Sequence, residues 1–210
     1  MESGSATDVD ALLASAKSGD ACALSTLFGM YQNYIKLLAA SQVRSRLRVR
    51  ASASDIAQET FLNAHRGFEN FRGTTGGEFV AWLRSILTRR IQYLVQQHVQ
   101  SQVRDVRKEV SIEAIGKSVD QSSIRLETVL QAGSPSPSAR LQRQDRSVHV
   151  ANALAELADD YREVLMLRSV EGLGFKEVAA RMQRSHGATR MLWLRAIEAL
   201  RDRLGNGDSL

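Results

Sequence analysis

The amino-acid sequence predicts an all-α protein of two helical domains joined by a flexible linker. Apolar residues recur at helical spacing along most of the chain, and no long stretch alternates with the period of two that marks a strand. Aromatic residues make up only 6% of the 210 residues, Pro occurs 2 times, and Ala, Leu, Arg and Gln are frequent, a composition that favours helices over sheets. A polar segment with Gly116, Gly133 and two Ser-Pro pairs separates two periodic blocks, and the charge changes across it. Residues 36–110 hold 13 Lys or Arg against 6 Asp or Glu, a net of +7, whereas residues 150–205 hold 9 against 8, a net of +1. The expected boundaries are 9–108 for the first domain, 109–139 for the linker and 140–205 for the second.

Residues 1–8 read as frayed. A helix starts near Asp10 and carries Leu12, Leu13 and Ala16. Gly19 and Asp20 mark a turn, after which Leu24, Leu27, Phe28, Tyr31 and Ile35 line one face of a second helix. Cys22 is the 1 cysteine, which excludes an internal disulfide, and its apolar neighbours suggest a packed small side chain. The run Arg44, Arg46, Arg48 and Arg50 alternates like a strand but fits a solvated helix end or loop better.

In SASDIAQETFLNAHRGFENFRG, Ser52 and Asp55 have the spacing of a capping box with Asp in place of Glu. At 100° per residue, Ala57, Phe61, Ala64 and Phe68 share a core face. The opposite face holds Asp55, Gln58, Glu59, Leu62 and Arg66, with Asn63 at its margin. Leu62 among charges is either an ordinary surface leucine or the anchor of a protein-contact patch with a polar rim.

After the glycines Gly73, Gly76 and Gly77, Phe79, Trp82, Leu83, Ile86 and Leu87 recur at i, i+3, i+4, i+7 and i+8. Trp82 suits core packing or the border of a binding groove. Arg84, Arg89 and Arg90 flank the stripe, followed by Gln92, His98, Arg104, Arg107 and Lys108. Interleaved cations, amides and aromatics suit a phosphate backbone and unstacked bases, or a solvated helix face. The linker allows one short helical turn, and Ser138 is placed to cap the next helix.

In the second block Val150, Leu154 and Leu157 belong to one helix. Tyr161, Val164, Leu165 and Leu167 begin another that stops at EGLG. Phe175, Val178, Ala179 and Met182 form a short helix, RSHG is a turn, and Leu192, Trp193, Ala196, Ile197, Leu200 and Leu204 share a broad face. A short helix, a tight turn and a longer helix are the layout of a helix-turn-helix. Arg184, Ser185 and His186 at the turn have the reach for phosphate or base edges, Gly187 permits a tight helix entry, and Arg190 and Arg195 lie off the densest apolar face.

Four scattered His and 1 Cys offer no metal-ligand spacing, and no cofactor is implied. FRGTTGGEF lacks the Gly-Lys-Ser/Thr of a phosphate loop, and no catalytic set of residues stands out, so no enzyme activity is expected. The polar, acid-bearing first 20 residues are unlike a signal peptide and no apolar run nears transmembrane length, so a cytoplasmic protein without membrane insertion is expected.

The motifs together resemble the extracytoplasmic-function group of bacterial RNA polymerase sigma factors, in the sigma-70 family. ASDIAQETFLNAHRGFENFRG resembles region 2 of that family, EFVAWLRSILTRRIQYL its next helix with Trp82-Leu83 at the hallmark Trp-Leu, and YREVLMLRSVEGLGFKEVAARMQRSHGATRMLWLRAIEALRDRL region 4. Long-linker members of planctomycete type are especially similar. The resemblance implies a factor that binds core RNA polymerase and directs promoter recognition and transcription initiation through −10 and −35 elements. It implies polymerase contact by Asp55, Gln58, Glu59, Leu62 and Asn63, and −10 contact by Trp82, Arg89, Arg90 and Gln92. The −35 element would fall to Arg184, Ser185, His186, Gly187, Arg190, Met191 and Arg195. An anti-sigma factor is a further partner the resemblance allows. Two departures stand out: Arg89 where the family often carries Asn, and Arg190, Met191 and Leu192 where it commonly carries Lys-Ser-Arg. The rival expectations are a conventional helix-turn-helix regulator that self-associates through its N-terminal domain, and a helical protein-binding adaptor.

Overall fold

The structure, a computed structural model, describes residues 9–46, 52–101, 111–129 and 140–205. The expectations for residues 1–8, Arg48, Arg50, Arg104, Arg107, Lys108, the Ser-Pro pairs and the Ser138 cap lie outside the described residues, as do those for the side chains of Arg44, Arg46 and His98. All regular structure among the described residues is helical. The chain forms two compact units, Met1–Gln121 and Ser122–Leu210.

Unit 1 begins with α1 (Val9–Lys17) and α2 (Ala21–Arg46). The break between them is chemical. Gly19 turns the chain at φ +100°, a conformation that costs glycine little. Asp20 then caps α2 by accepting the N–H groups of Cys22 and Ala23 at 2.9 and 3.1 Å. α3 (Ala53–Gly67) starts at the expected capping box: the Asp55 N–H donates to Ser52 Oγ at 3.1 Å and the Ser52 N–H to Asp55 Oδ2 at 3.3 Å. A single 3₁₀ turn, Phe68–Asn70, leads to α4 (Gly76–Ser101), where the Glu78 carboxylate gathers the Thr74 and Thr75 N–H groups at 2.8 and 3.1 Å. The Gly76 N–H donates to Asp10 at 2.8 Å, and a Cβ at Gly76 would come within 3.0 Å of Val9, so glycine lets α4 start against α1.

The core of this unit holds Leu27, Tyr31, Tyr34, Ile35, Phe79, Leu83 and Leu87, all fully buried. Three expectations need correction. Cys22 is exposed, not packed, because it sits in the first turn of α2 on the side away from buried Ala23. Phe61 is only half-buried. The centre of the α3 core face is Ile56, Ala57, Thr60 and Ala64, and Thr60 is buried because its hydroxyl donates back to the Ile56 carbonyl at 2.7 Å. Trp82 and Ile86 are half-buried at the edge of the α4 stripe, while Val80 and Ile91 complete it.

The segment read as a linker contains a 17-residue helix, α5 (Ile112–Thr128), in place of one short turn. Its buried stripe is Ile115, Val119, Ser122 and Leu126. A serine inside the stripe and Gly116 within the helix made the pattern read as polar and broken.

α5 crosses the boundary between Gln121 and Ser122, and beyond it unit 2 holds α6 (Arg140–Ala155), α7 (Asp159–Leu165) running into a π-helical turn (Met166–Val170), α8 (Phe175–Arg181) and α9 (His186–Gly205). Arg162 closes the α6–α7 turn by donating to the carbonyls of Leu154, Ala155 and Leu157 at 3.1, 3.1 and 2.8 Å. The Leu154 and Ala155 carbonyls lie in the last turn of α6, where the helix supplies few donors of its own. Gly172 (φ +78°) leaves room for the Arg125 guanidinium, which would lie 2.6 Å from an added Cβ and which donates to the Glu171 carbonyl at 2.7 Å. The turn before the last helix falls at residues 182–185, with Gln183 at φ +53°, and not on RSHG. His186 and Gly187 already belong to α9. Ser185 supplies the cap, its Oγ accepting the Ala188 N–H at 3.2 Å. No helix among the described residues is long and apolar enough to cross a membrane.

Candidate protein and nucleic-acid interfaces

The outer face of α3 carries Asp55, Gln58, Leu62 and Asn63, all exposed, with Glu59 half-buried at its edge. Leu62 is 50% exposed, although its neighbours on the inner face are buried. It is not isolated. With Phe28, Phe61, Gln58 and Lys36 it lines an open pocket of about 650 Å³ between α2 and α3, in which the Phe28 and Phe61 ring centroids lie 5.3 Å apart. Asp55 also closes the capping box, so part of its carboxylate serves the helix.

A second open groove of about 650 Å³ lies between α3 and α4, lined by Glu59, Asn63, Gly67, Asn70, Trp82, Ile86, Arg89, Arg90 and Tyr93. Half-buried Trp82 combines packing with a place at the groove edge. One side of its ring packs on Phe71 and Phe79, with centroids 4.9 and 5.8 Å away, and it also borders the groove. Arg89 is exposed and makes no ion pair among the described residues. Arg90 is held: its Nη2 lies 2.6 Å from Glu59 Oε2 and its guanidinium lies over the Tyr93 ring at 5.3 Å. Gln92 is half-buried and does not line the groove. Arg84 faces Tyr34 Oη at 3.4 Å and Asp120 at 3.4 Å, away from the groove.

The structure thus joins Glu59 and Asn63, expected on a protein-binding face, to Trp82, Arg89 and Arg90, expected on a nucleic-acid face. Sequence reasoning missed Tyr93 and Asn70. Tyr93 stands i+4 from Arg89, a legible signal on a helix, whereas Asn70 enters only through the 3₁₀ turn.

In unit 2 the outer side of α9 presents Arg190, Met191, Leu194 and Arg195. Met191 and Leu194 are 52% and 46% exposed. Leu194 was not singled out in the sequence, although it lies i+4 from Arg190. Leu192 is half-buried, and Trp193 is half-buried with its indole N–H donating to Ser169 Oγ at 3.2 Å and its ring edge-on to Phe175. Ala196, Ile197 and Leu200 form the buried face, together with Thr189, whose hydroxyl donates to the Ser185 carbonyl at 2.9 Å. At the turn, Arg184 is paired with Asp160 of α7, and the His186 ring meets Phe175 edge-on at 6.1 Å. Ser185 is exposed but spends its hydroxyl on the cap, and Gly187 has open space around it. No cluster of His, Cys, Asp or Glu suited to a metal occurs among the described residues.

Known proteins align with both units. Residues 30–99 match the family described as Sigma-70 region 2, and residues 148–200 match Sigma-70, region 4. The RNA polymerase sigma-H factor of Pseudomonas aeruginosa is 31% identical over 149 residues, 70% of this chain and 70% of that protein. The ECF RNA polymerase sigma-E factors of Salmonella typhimurium and Escherichia coli K12 are each 27% identical over 88% of this chain and 87% of their own length. The solved structure of CnrH in complex with the cytosolic domain of CnrY covers 95% of this chain and 99% of that chain, at 22% identity and a TM-score of 0.32, too low for the overlay to carry any inference. The chain belongs to the sigma-70 family of RNA polymerase sigma factors, as a member of its extracytoplasmic-function group.

Proposed function

We propose that this sigma factor binds core RNA polymerase through the outer face of α3, engages the −10 element through the α3–α4 groove and reads the −35 element with α9. The observation that carries the reading is half-exposed Leu62 within a polar face of Asp55, Gln58 and Asn63, opposite a buried Ile56–Ala57–Thr60–Ala64 stripe. An apolar anchor with a polar rim is the anatomy of a protein contact, and the acids supply register and encounter rate with a basic partner.

In the α3–α4 groove, Trp82 offers an apolar wall for an unstacked base, and Arg89 and Arg90 offer charge to the displaced strand. On α9, Arg190 has the exposure to reach a base edge, and Met191 with Leu194 has the exposure to meet thymine methyls. Arg195, Ser185, His186 and Gly187 complete the −35 contact set, with Arg184 the weaker member because Asp160 already holds it. Gln92 acts beside the groove and not within it. The protein catalyses nothing itself, since phosphodiester bond formation belongs to the polymerase. Two finer expectations remain part of this proposal: kinship with long-linker planctomycete-type members, and regulation by an anti-sigma factor.

The full chain, mixed with purified bacterial core polymerase and a promoter library, should yield defined transcript starts. Failure to associate with the polymerase would overturn the reading. Self-association of the chain in place of polymerase binding would favour a conventional helix-turn-helix regulator.

A further inference from the structure

One ion pair in the α3–α4 groove joins two surfaces that the sequence keeps apart. Glu59 leaves α3 towards the groove and meets Arg90 of α4 at 2.6 Å. The acid side chain is 44% exposed and the arginine 19%. The Tyr93 ring lies under the guanidinium, and Arg90 Nε is buried without an acceptor. An ion pair exposed on its acid side adds little to stability, so its main consequence is positional. A phosphate approaching the groove meets a carboxylate in front of a cation whose charge is already matched.

We infer that Glu59 is a positioning residue for Arg90, holding the guanidinium across the groove and withholding it from the DNA strand until another cation takes the carboxylate. The inference rests on the proposed reading of the groove. Glu59 also borders the α3 face proposed to meet the polymerase. One carboxylate cannot fully neutralise both Arg90 and a basic group of the polymerase. Contact at Glu59 therefore releases Arg90, and the strand gains a phosphate contact that the free chain makes poorly.

The test measures binding of the full-length chain to fluorescein-labelled single-stranded DNA of random sequence, about 12 nucleotides long, over a range of salt. A phosphate contact needs no sequence, so a random pool suffices. Glu59→Gln should bind about three- to tenfold tighter than the parent. It should also steepen the dependence of log K on log salt by about 0.7, the signature of one added phosphate contact on a single strand. A purely structural role for Glu59 would not move that slope. Glu59→Asp, one methylene shorter, should move the same way by less and provides a second route if the glutamine disturbs α3. The gain should vanish in Glu59→Gln/Arg90→Ala and in the assembled holoenzyme, where the carboxylate is already engaged. Glu69→Gln, a control acid on the 3₁₀ turn, should change binding little. The inference is overturned by an unchanged slope in Glu59→Gln, by an equal gain in Glu69→Gln, or by a gain that survives Arg90→Ala. If Arg90→Ala leaves open-complex formation by the holoenzyme intact, the promoter role of Arg90 falls and this inference falls with it. If that variant is impaired while Glu59→Gln does nothing, only the positioning role fails.

Discussion

The candidate nucleic-acid faces of the two units are built on different principles. In unit 1 the candidate face is concave and belongs to two helices: α3 supplies Glu59 and Asn63, and α4 supplies Trp82, Arg89, Arg90 and Tyr93. In unit 2 it is the convex side of one helix, α9, with Arg190, Met191, Leu194 and Arg195 projecting from it. The difference suits the two substrates proposed for them. An unpaired base needs a recess with an aromatic wall, whereas a duplex groove needs a protruding rod. On or beside each candidate face stands an arginine already paired with an acid, Arg90 with Glu59 and, at the turn before α9, Arg184 with Asp160.

The sharpest way to separate scaffold from surface in unit 1 is to compare two phenylalanines. Phe79 is fully buried among Phe28, Tyr31, Phe68, Phe71 and Trp82, so Phe79→Ala should destabilise the chain by about 3–5 kcal/mol in thermal or urea unfolding. Phe61 is half-buried at the rim of a pocket, and Phe61→Ala should cost about 1–2 kcal/mol. Equal losses would mean that Phe61 belongs to the core after all.

In unit 2 the contrast lies between two arginines. Arg190→Ala should lower holoenzyme affinity for its preferred −35 sequence by about 1–3 kcal/mol and flatten discrimination among −35 variants. Arg184→Ala should cost less, because Asp160 already shares its charge, and should weaken good and poor sites alike. The reverse ranking would move the reading head from α9 to the turn.

Leu62→Asp sharpens the comparison at the outer face of α3. Its side chain is half-exposed, so melting should barely change, while capture of core polymerase should fall about tenfold, or about 1.4 kcal/mol. A large drop in melting temperature without a selective loss of capture would return Leu62 to the scaffold.

The smallest effect concerns the caps of unit 1. The Ala23 N–H first, then Ser15 Oγ, holds the Asp20 carboxyl below its ordinary value, and the Thr74 and Thr75 N–H groups do the same for Glu78. A lowered folded pKa stabilises at pH above the ordinary carboxylate range, and that contribution is lost as pH falls through the lowered value. Acidification should therefore loosen the starts of α2 and α4 only below the usual carboxylate range. Asp20→Asn with Glu78→Gln should remove that part of the acid dependence in pH-resolved melting curves.

What could be read from the sequence follows from how each feature is encoded. Helix existence, the Ser52–Asp55 cap, the α3 outer face and the helix-turn-helix layout are properties of one helix or one turn, and periodicity reports them. α5 escaped because Ser122 shares its buried stripe with Ile115, Val119 and Leu126, and a hydroxyl reads as solvent-facing unless its packing is known. Cys22 misled for the opposite reason. Apolar neighbours in sequence say nothing about which side of a first helical turn faces water. The turn before α9 was placed late because Gln183 accepts a positive φ that is rare for a residue other than glycine.

By itself the sequence determined the helical class, the two blocks, the polar face around Leu62 and the short-helix, turn, long-helix order at the end of the chain, because each rests on local spacing along one chain segment. Only the tertiary structure decided that Glu59 closes on Arg90, that Trp82 is both wall and core, and that Tyr93 and Asn70 join the same groove. A groove exists only where two helices approach, and their spacing depends on the side chains packed between them, which no single-helix pattern contains.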